Sequence, residues 1–289
     1  MPDKNEVFQG ARPKLFGLAY RMVGTRMDAE DLIQDAWERW HATDVTSVED
    51  PEAWLTTVVT RLGIDRQRRL RSRREDYPGP WLPEPLVMNA GAKSSDDIME
   101  LAGDLSMAFL VAMECLGPDE RAAFILREVF DYTYNEIAEV IGKTPIASRK
   151  LVSRARARVR EERPHYSVTP EQERHVAKKF ADALMGEDQD GFVRLMAEQV
   201  RWVADGGGNA NAASRVVEGI RATSRLAMGI ARQWGDRLEA TVEVVNGKPG
   251  VVLWLDSQIQ AAIELETDGE HVIGIYSVVN PDKLIGISM

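Results

Sequence analysis

The chain has 289 residues, 44% of them hydrophobic and 28% charged, which is enough for two or three domains with cores of their own. A single cysteine, Cys115, excludes an internal disulfide framework, and four scattered histidines exclude a zinc site of ordinary spacing. The formal net charge of −10 excludes indiscriminate affinity for nucleic acid, although the average conceals local order.

Residues 1–164 hold 24 basic and 28 acidic side chains, and residues 165–289 hold 12 and 18. The basic residues of the first part concentrate in two stretches. One contains Arg61, Arg66, Arg68, Arg69, Arg71, Arg73 and Arg74; the other contains Arg149, Lys150, Arg154, Arg156, Arg158, Arg160 and Arg163. Salt screens charges beyond roughly 8–10 Å, so such clusters can hold phosphates on an acidic molecule. The opening MPDKNEVFQG lacks the apolar run of a signal peptide, and no later segment reaches membrane-spanning length. With the cysteine usage, this predicts a cytoplasmic protein that does not engage membranes.

In chain order, Leu15, Leu18, Ala19 and Met22 recur at helical spacing, as do Leu32, Ile33, Ala36, Trp37 and Trp40. Asp50-Pro51 predicts a helix start, with Asp50 as cap and Pro51 in the first turn. Trp54, Leu55, Val58, Val59 and Leu62 form the expected buried stripe of that helix, whose later turns carry the first arginine cluster. The stretch YPGPWLPEPLV cannot be helical and predicts an extended linker. Helical patterning resumes from about Ile98 to Arg163, with breaks at Gly117-Pro118 and Gly142. The last region opens with predicted helices over 171–185 and 190–198. Strands are expected over 200–204, 238–246, 251–255, 259–267 and 272–279, with one helix over 219–234. Helices followed by an antiparallel sheet predict an α+β unit.

The strongest local motif is YTYNEIAEVIGKTPIASRKLVSRARARVR. Thr133–Val140 predicts a short helix, Gly142 supplies a turn in which positive φ is cheap for glycine, and Thr144-Pro145 starts the next helix. This is helix-turn-helix spacing, in which the second helix enters the major groove. Ser148, Arg149 and Lys150 lie early on it, with Arg154, Arg156 and Arg158 where phosphates would pass. In MDAEDLIQDAWERW, Asp31, Asp35 and Glu38 share one helix face with Gln34 beside them. A solvated acidic face and a docking strip for a basic partner account equally well for that pattern.

These segments, in this order and spacing, resemble domains 2 and 4 of the extracytoplasmic-function sigma factors over roughly residues 5–163. The resemblance implies that Asp31, Gln34, Asp35 and Glu38 bind core RNA polymerase, with the β and β′ subunits as partners. It implies that Trp54, Arg61, Asp65, Arg66, Arg68 and Arg69, with the loop near His41–Asp50, read and melt a −10 element of promoter DNA. The recognition helix would read a −35 element through Ser148, Arg149, Lys150, Ser153, Arg154 and Arg156. As a side chain, Trp54 is more in keeping with the core than with a base-stacking platform.

Three further stretches extend the match: WLPEP (Trp81, Leu82, Pro83, Glu84, Pro85), DGGG (Asp205, Gly206, Gly207, Gly208) and NPDKL (Asn280, Pro281, Asp282, Lys283, Leu284). They resemble the SigJ-like subgroup, in which a SnoaL-like (NTF2-like) cone domain is fused after domain 4. Asn209 stands where that subgroup frequently has a basic residue. The implied organisation is domain 2 over 5–76, a Pro-rich linker over 77–97, domain 4 over 98–163, a short linker over 164–170 and the regulatory domain over 171–289. The resemblance further implies that the last domain governs the sigma factor from within; a physical route is for that domain, with the NPDKL tail, to pack on the stiff WLPEP linker and set the spacing between the two DNA modules.

A small-molecule ligand in the cone is compatible with the fold, whereas Asp205, Glu218, Asp256, Glu264 and His271 form no evident acid/base pair. Glu264 alternates with apolar residues and is expected to face solvent. We therefore expect no enzyme, no cofactor, no metal and a monomer. The alternative is a helix-turn-helix regulator with an effector-binding C-terminal domain; the acidic strip and the arginine-rich helix argue against it.

Overall fold

The computed structural model describes residues 3–88, 104–162, 166–285 and 287. They fall into two compact units. The first draws on the described residues of Met1–Glu75, Ser94–Leu105 and Phe109–Arg163, and the second on those of Asp76–Lys93, Ser106–Ala108 and Pro164–Met289.

The first unit is helical. Helix α1 (Lys4–Val23) is capped by Asp3 and stops at Gly24, whose φ of 80° suits glycine. Helix α2 (Arg26–Ala42) is capped by Thr25, which accepts from the Asp28 amide. A single 3-10 turn at Val45–Ser47 leads to α3 (Pro51–Glu75), where Asp50 accepts from the Ala53 amide at 3.0 Å. Leu15, Leu18, Ala19 and Met22 bury against Leu32, Ile33, Ala36 and Trp40, and against Leu55, Val59 and Leu62 of α3. Four more helices follow: α4 (Met107–Ala112), whose first two residues count with the second unit, α5 (Pro118–Glu128), α6 (Tyr134–Ile141) and α7 (Pro145–Glu162). A small core of Ala123, Leu126, Ile137, Val140, Leu151 and Val152 holds the last three together.

The second unit is α+β. Helix α8 (Pro170–Met185) begins with a reciprocal capping box between Thr169 and Gln172 and is followed by α9 (Gln189–Leu195). The strands are β1 (Val87–Met88), β2 (Met196–Asp205), β3 (Val217–Glu218), β4 (Leu238–Val245), β5 (Lys248–Leu255), β6 (Gln258–Thr267) and β7 (Val272–Val278). They form one sheet in the order β1-β4-β5-β6-β7-β2-β3, antiparallel except for β2 against β7. Helix α10 (Ile220–Trp234) lies between β3 and β4 in sequence and packs its Ala227, Met228 and Ala231 into a core with Phe180, Phe192, Trp202, Leu253 and Ile275.

Three differences from expectation have local causes. The helix expected to reach Glu198 gives way to strand at Met196. Phe192, Leu195 and Met196 imitate helical spacing, and a register shift between Met196 and Arg201 on β7 absorbs the change of period. Glu264 does not face solvent: it is 1% exposed, and its carboxylate accepts from the Met107 amide at 2.7 Å. The alternation along β6 is real, but its second face is also covered. Part of the proline-rich segment is not a free spacer, since Val87 and Met88 pair with Val245 and Val244. Residues 89–97 of that expected linker lie outside the described residues.

Candidate functional site

On α2, Gln34, Asp35 and Glu38 are exposed opposite the buried Leu32–Trp40 stripe. Gln34 donates to Glu38 at 3.2 Å, and Asp35 has no ion-pair partner among the described residues. Asp31 differs, because Arg66 of α3 reaches it at 3.0 Å and reaches Asp28 at 3.1 Å.

Beside this strip, residues of the Thr43–Asp50 loop and of α3 enclose an open cleft of about 860 Å³. Arg39, Ser47, Asp50, Trp54, Thr57 and Arg61 are among its lining residues. Trp54 is half-buried: one side packs on Trp40, ring centroids 5.5 Å apart, and the ring also faces the cleft. It therefore belongs to both the core and the surface, whereas the periodicity alone assigned it to the core.

Arg61, Arg68 and Arg69 of α3 are occupied. Arg61 donates to the Val140 and Glu139 carbonyls, 2.9 Å each, at the C-terminal end of α6, where a cation suits the helix dipole. Arg68 bridges Asp65 and Asp119 at 3.1 and 3.0 Å, and Arg69 donates to the Asp65 carbonyl. Thus α3 and the helix-turn-helix are tied to each other in this unit.

One cluster gave no signal in the sequence. Glu114 pairs with both Arg74 and Arg121, the latter side chain only 3% exposed. Arg121 also donates to the Met22 carbonyl and Arg74 to the Val23 carbonyl, joining α1, α3 and α5. Burial opposes ionisation of Glu114, but the two guanidiniums outweigh it and hold its pKa below the ordinary value of 4.5. A lowered carboxyl pKa contributes stability above the unfolded-state value, and that contribution is lost as pH falls through the folded one. Glu114→Gln should therefore cost about 3–5 kcal/mol near neutrality by leaving buried Arg121 unbalanced. In urea titrations the gap between variant and parent should narrow as pH drops below about 4.5.

The helix-turn-helix is built as the spacing predicts. Thr133 and Glu136 cap α6 reciprocally, Gly142 has φ 69°, and Thr144 accepts from the Ala147 amide. Along α7, Arg149, Lys150, Ser153 and Arg154 are exposed, and Arg149 lies 5.1 Å over the Tyr134 ring. Arg156 is engaged by Glu128 at 2.6 Å. Ser148 is corrected as a contact residue: it is fully buried, three and four positions before Leu151 and Val152 on the same inner stripe. Its hydroxyl has no hydrogen-bond partner among the described residues. Ile146, 73% exposed at the start of α7, was missed; an apolar side chain there suits a thymine methyl group.

The three short motifs meet inside the second unit. Asp205 is fully buried at the end of β2. Its carboxylate accepts from the Tyr77 hydroxyl (2.6 Å), the Leu82 amide (2.8 Å), the Lys283 ammonium (2.7 Å) and the Gly207 amide (3.1 Å). Lys283 also donates to the Leu82 carbonyl at 2.6 Å and lies 4.4 Å from the Trp81 ring centre. Asn280 donates to the Tyr77 hydroxyl at 3.0 Å. Burial, then the Asp205 carboxylate, push the Tyr77 phenol well above its ordinary pKa, so it remains a donor.

Around this lock, Leu82, Pro83 and Pro85 are buried, and Leu86 exchanges two 2.8 Å hydrogen bonds with Asn246. Glu84 is half-buried, and Leu284 is buried. The glycines are needed for close approach. A Cβ on Gly207 would meet the Asn280 amide nitrogen at 2.2 Å, one on Gly208 would meet Pro78 at 2.8 Å, and one on Gly206 would meet Ala212 at 2.7 Å. Asn209 donates to Asp282 at 3.3 Å, so this position reaches the tail without a charge.

Among the described residues, no helix is long and apolar enough to cross a membrane, and no acidic, histidine or cysteine group is arranged to hold a metal. Comparison with known proteins follows the same division. Residues 7–74 match the Sigma-70 region 2 family and residues 106–159 match Sigma-70, region 4. The chain is 36% identical over 290 residues to the ECF RNA polymerase sigma factor SigJ of Mycobacterium tuberculosis (strain ATCC 25618 / H37Rv), covering 96% of this chain and 92% of that one. It is 30% identical over 280 residues to a probable ECF sigma factor, SigI, of Mycobacterium tuberculosis (strain CDC 1551 / Oshkosh), covering 94% and 92%.

The crystal structure of Mycobacterium tuberculosis SigJ superimposes with a TM-score of 0.79 at 32% identity over 96% of this chain and 97% of that one. A regulator that never engages polymerase leaves the region 2 match without a role. Sigma regions 2 and 4 followed by an α+β domain, all in one chain, make this protein a member of the extracytoplasmic-function RNA polymerase sigma factors, which are not enzymes.

Proposed function

We propose that the SnoaL-like domain of this extracytoplasmic-function sigma factor, which directs RNA polymerase to promoters, controls that activity by holding or releasing Tyr77–Met88, the segment that follows α3. The observation that carries the proposal is the convergence of all three short motifs on the buried Asp205 carboxylate. A buried charge with four donors is costly to leave half-satisfied, so the segment is either docked or released, with little between. Docking shortens the free chain that joins the two DNA-reading parts and thereby limits the promoter spacings they can span. A small molecule in the domain is the natural input to such a control.

In the same proposal, Asp35 and Glu38 dock on the β′ subunit. The cleft at Trp54 takes a −10 base drawn from the stack, with Arg61 and Arg68 released from Val140 and Asp119 to hold the backbone. Arg149, Lys150, Ser153 and Arg154 read the −35 element, with Ile146 beside them. Bidentate arginine contacts discriminate by about 1–3 kcal/mol, so Arg149→Ala should relax preference at one −35 position by roughly ten- to a hundredfold in competitive binding.

The test is in vitro transcription with sigma-free core polymerase and a library of upstream regions, using the full chain and a chain lacking Asn280–Met289. Start sites that share −35 and −10 elements define the promoter. Identical output from both chains at every spacer length would sink the control proposal.

A further inference from the structure

A cavity of about 330 Å³, at the small end of ligand pockets, lies in the second unit between α10 and the sheet. Its walls are apolar, with Leu226, Ile230, Trp234, Leu253 and Ile263 among them. Four polar side chains, Asn211, Arg225, Gln233 and Ser277, break that surface. Ser277, 3% exposed, accepts from the Trp202 indole N–H at 2.7 Å, and its own hydroxyl proton has no acceptor among the described residues. Arg225 lies on the exposed side of α10 and has no ion-pair partner among the described residues. The lining contains no carboxylate and no imidazole, so its formal charge is positive and it offers no acid/base pair.

We propose that this cavity binds an amphipathic carboxylic acid with a flat apolar body. The body lies between α10 and the sheet against Trp202 and Trp234, its carboxylate pairs with Arg225, and an oxygen along the body accepts from Ser277. The molecule is bound and not transformed. The site also suggests how binding is felt, a point that rests on the control function proposed above. Trp202 and Ala204 run directly into Asp205 on β2, and Ser277 and Val279 run into Asn280. Val279 and Asn280 both donate to the Asp205 carbonyl at 2.9 Å. An occupant therefore rests on the two chain segments that build the lock.

The experiment uses the full chain with naphthoate as probe and naphthalenemethanol as its neutral isostere, followed by calorimetry and indole fluorescence. Naphthoate should saturate one site with a Kd on the order of micromolar, and the alcohol should bind at least about tenfold more weakly. Arg225→Gln should erase that preference while retaining weak binding of both. Gly229 lines the cavity on α10, and a Cβ there meets nothing within 4 Å, so Gly229→Phe should block both compounds without disturbing the backbone. No saturable binding, equal affinity for acid and alcohol, or unchanged binding to Gly229→Phe would each overturn the proposal. Transcription with and without naphthoate is read separately. Binding with no change in transcription refutes control through the lock and leaves the ligand site standing, whereas a change that Gly229→Phe abolishes supports both.

Discussion

Replacing Asp205 by alanine is expected to free Tyr77–Met88 from the second unit and to cost about 3–5 kcal/mol, because buried Lys283 loses the carboxylate it pairs with at 2.7 Å. The Tyr77 hydroxyl and the Leu82 amide lose their acceptor in the same step. Denaturant titration reads the stability, and hydrogen exchange at the Leu82 and Leu86 amides reads the release. Asp205→Asn keeps an acceptor but not the charge, so its loss should be smaller.

A cycle with Lys283→Met separates the pair from its surroundings. The double variant Asp205→Ala/Lys283→Met should lose less than the two single losses added together, since neither charge is then left alone. If Asp205→Ala changed neither the exchange of Leu82 nor the promoter spacer preference, the lock would be a packing feature without regulatory weight.

The second large effect is expected at the acidic face of α2. Asp35→Lys with Glu38→Lys sets like charges against a basic partner, which costs several kcal/mol, and about 3 kcal/mol amounts to a hundredfold. Transcript yield with core polymerase should fall by about that factor or more. Both side chains are exposed and outside the core, so the denaturation midpoint should move by less than about 0.5 kcal/mol in free-energy terms. Asp31 is the wrong place for this test, since reversing it also breaks the tie to Arg66. Unchanged yield with the double reversal would return the strip to a merely solvated face.

The helices of the first unit, the helix-turn-helix and the main strands were legible because each rests on local chemistry: caps, a left-handed glycine and a period of 3.6 or 2. What escaped depended on partners distant in sequence. Ser148 carries a polar side chain, but its spacing to Leu151, Val152 and Ala155 is that of the buried stripe, and spacing prevailed over residue type. Glu264 points away from the core of its sheet, and only the approach of Met107, 157 positions earlier, turns that second face into an interior. The Glu114 cluster joins three helices through charges that, read along the chain, look like ordinary surface residues. Adjacent glycines such as those of DGGG serve either a tight turn or close backbone approach. The geometry contains both, with positive φ at Gly207 and Gly208 and neighbours that leave no room for a Cβ.

The pairing of β1 with β4 through two residues has a mechanical consequence. Twelve residues, Tyr77 to Met88, lie along the second unit, anchored near one end by Asp205 and at the other by a two-residue strand. At about 3.3–3.6 Å per extended residue, that stretch represents roughly 40 Å of stored contour length. Paid out, it would lengthen the tether after α3 by more than one turn of duplex DNA, about 34 Å. Under the control proposed above, the C-terminal α+β domain acts as a spool, with the Asp205–Lys283 pair as its pawl.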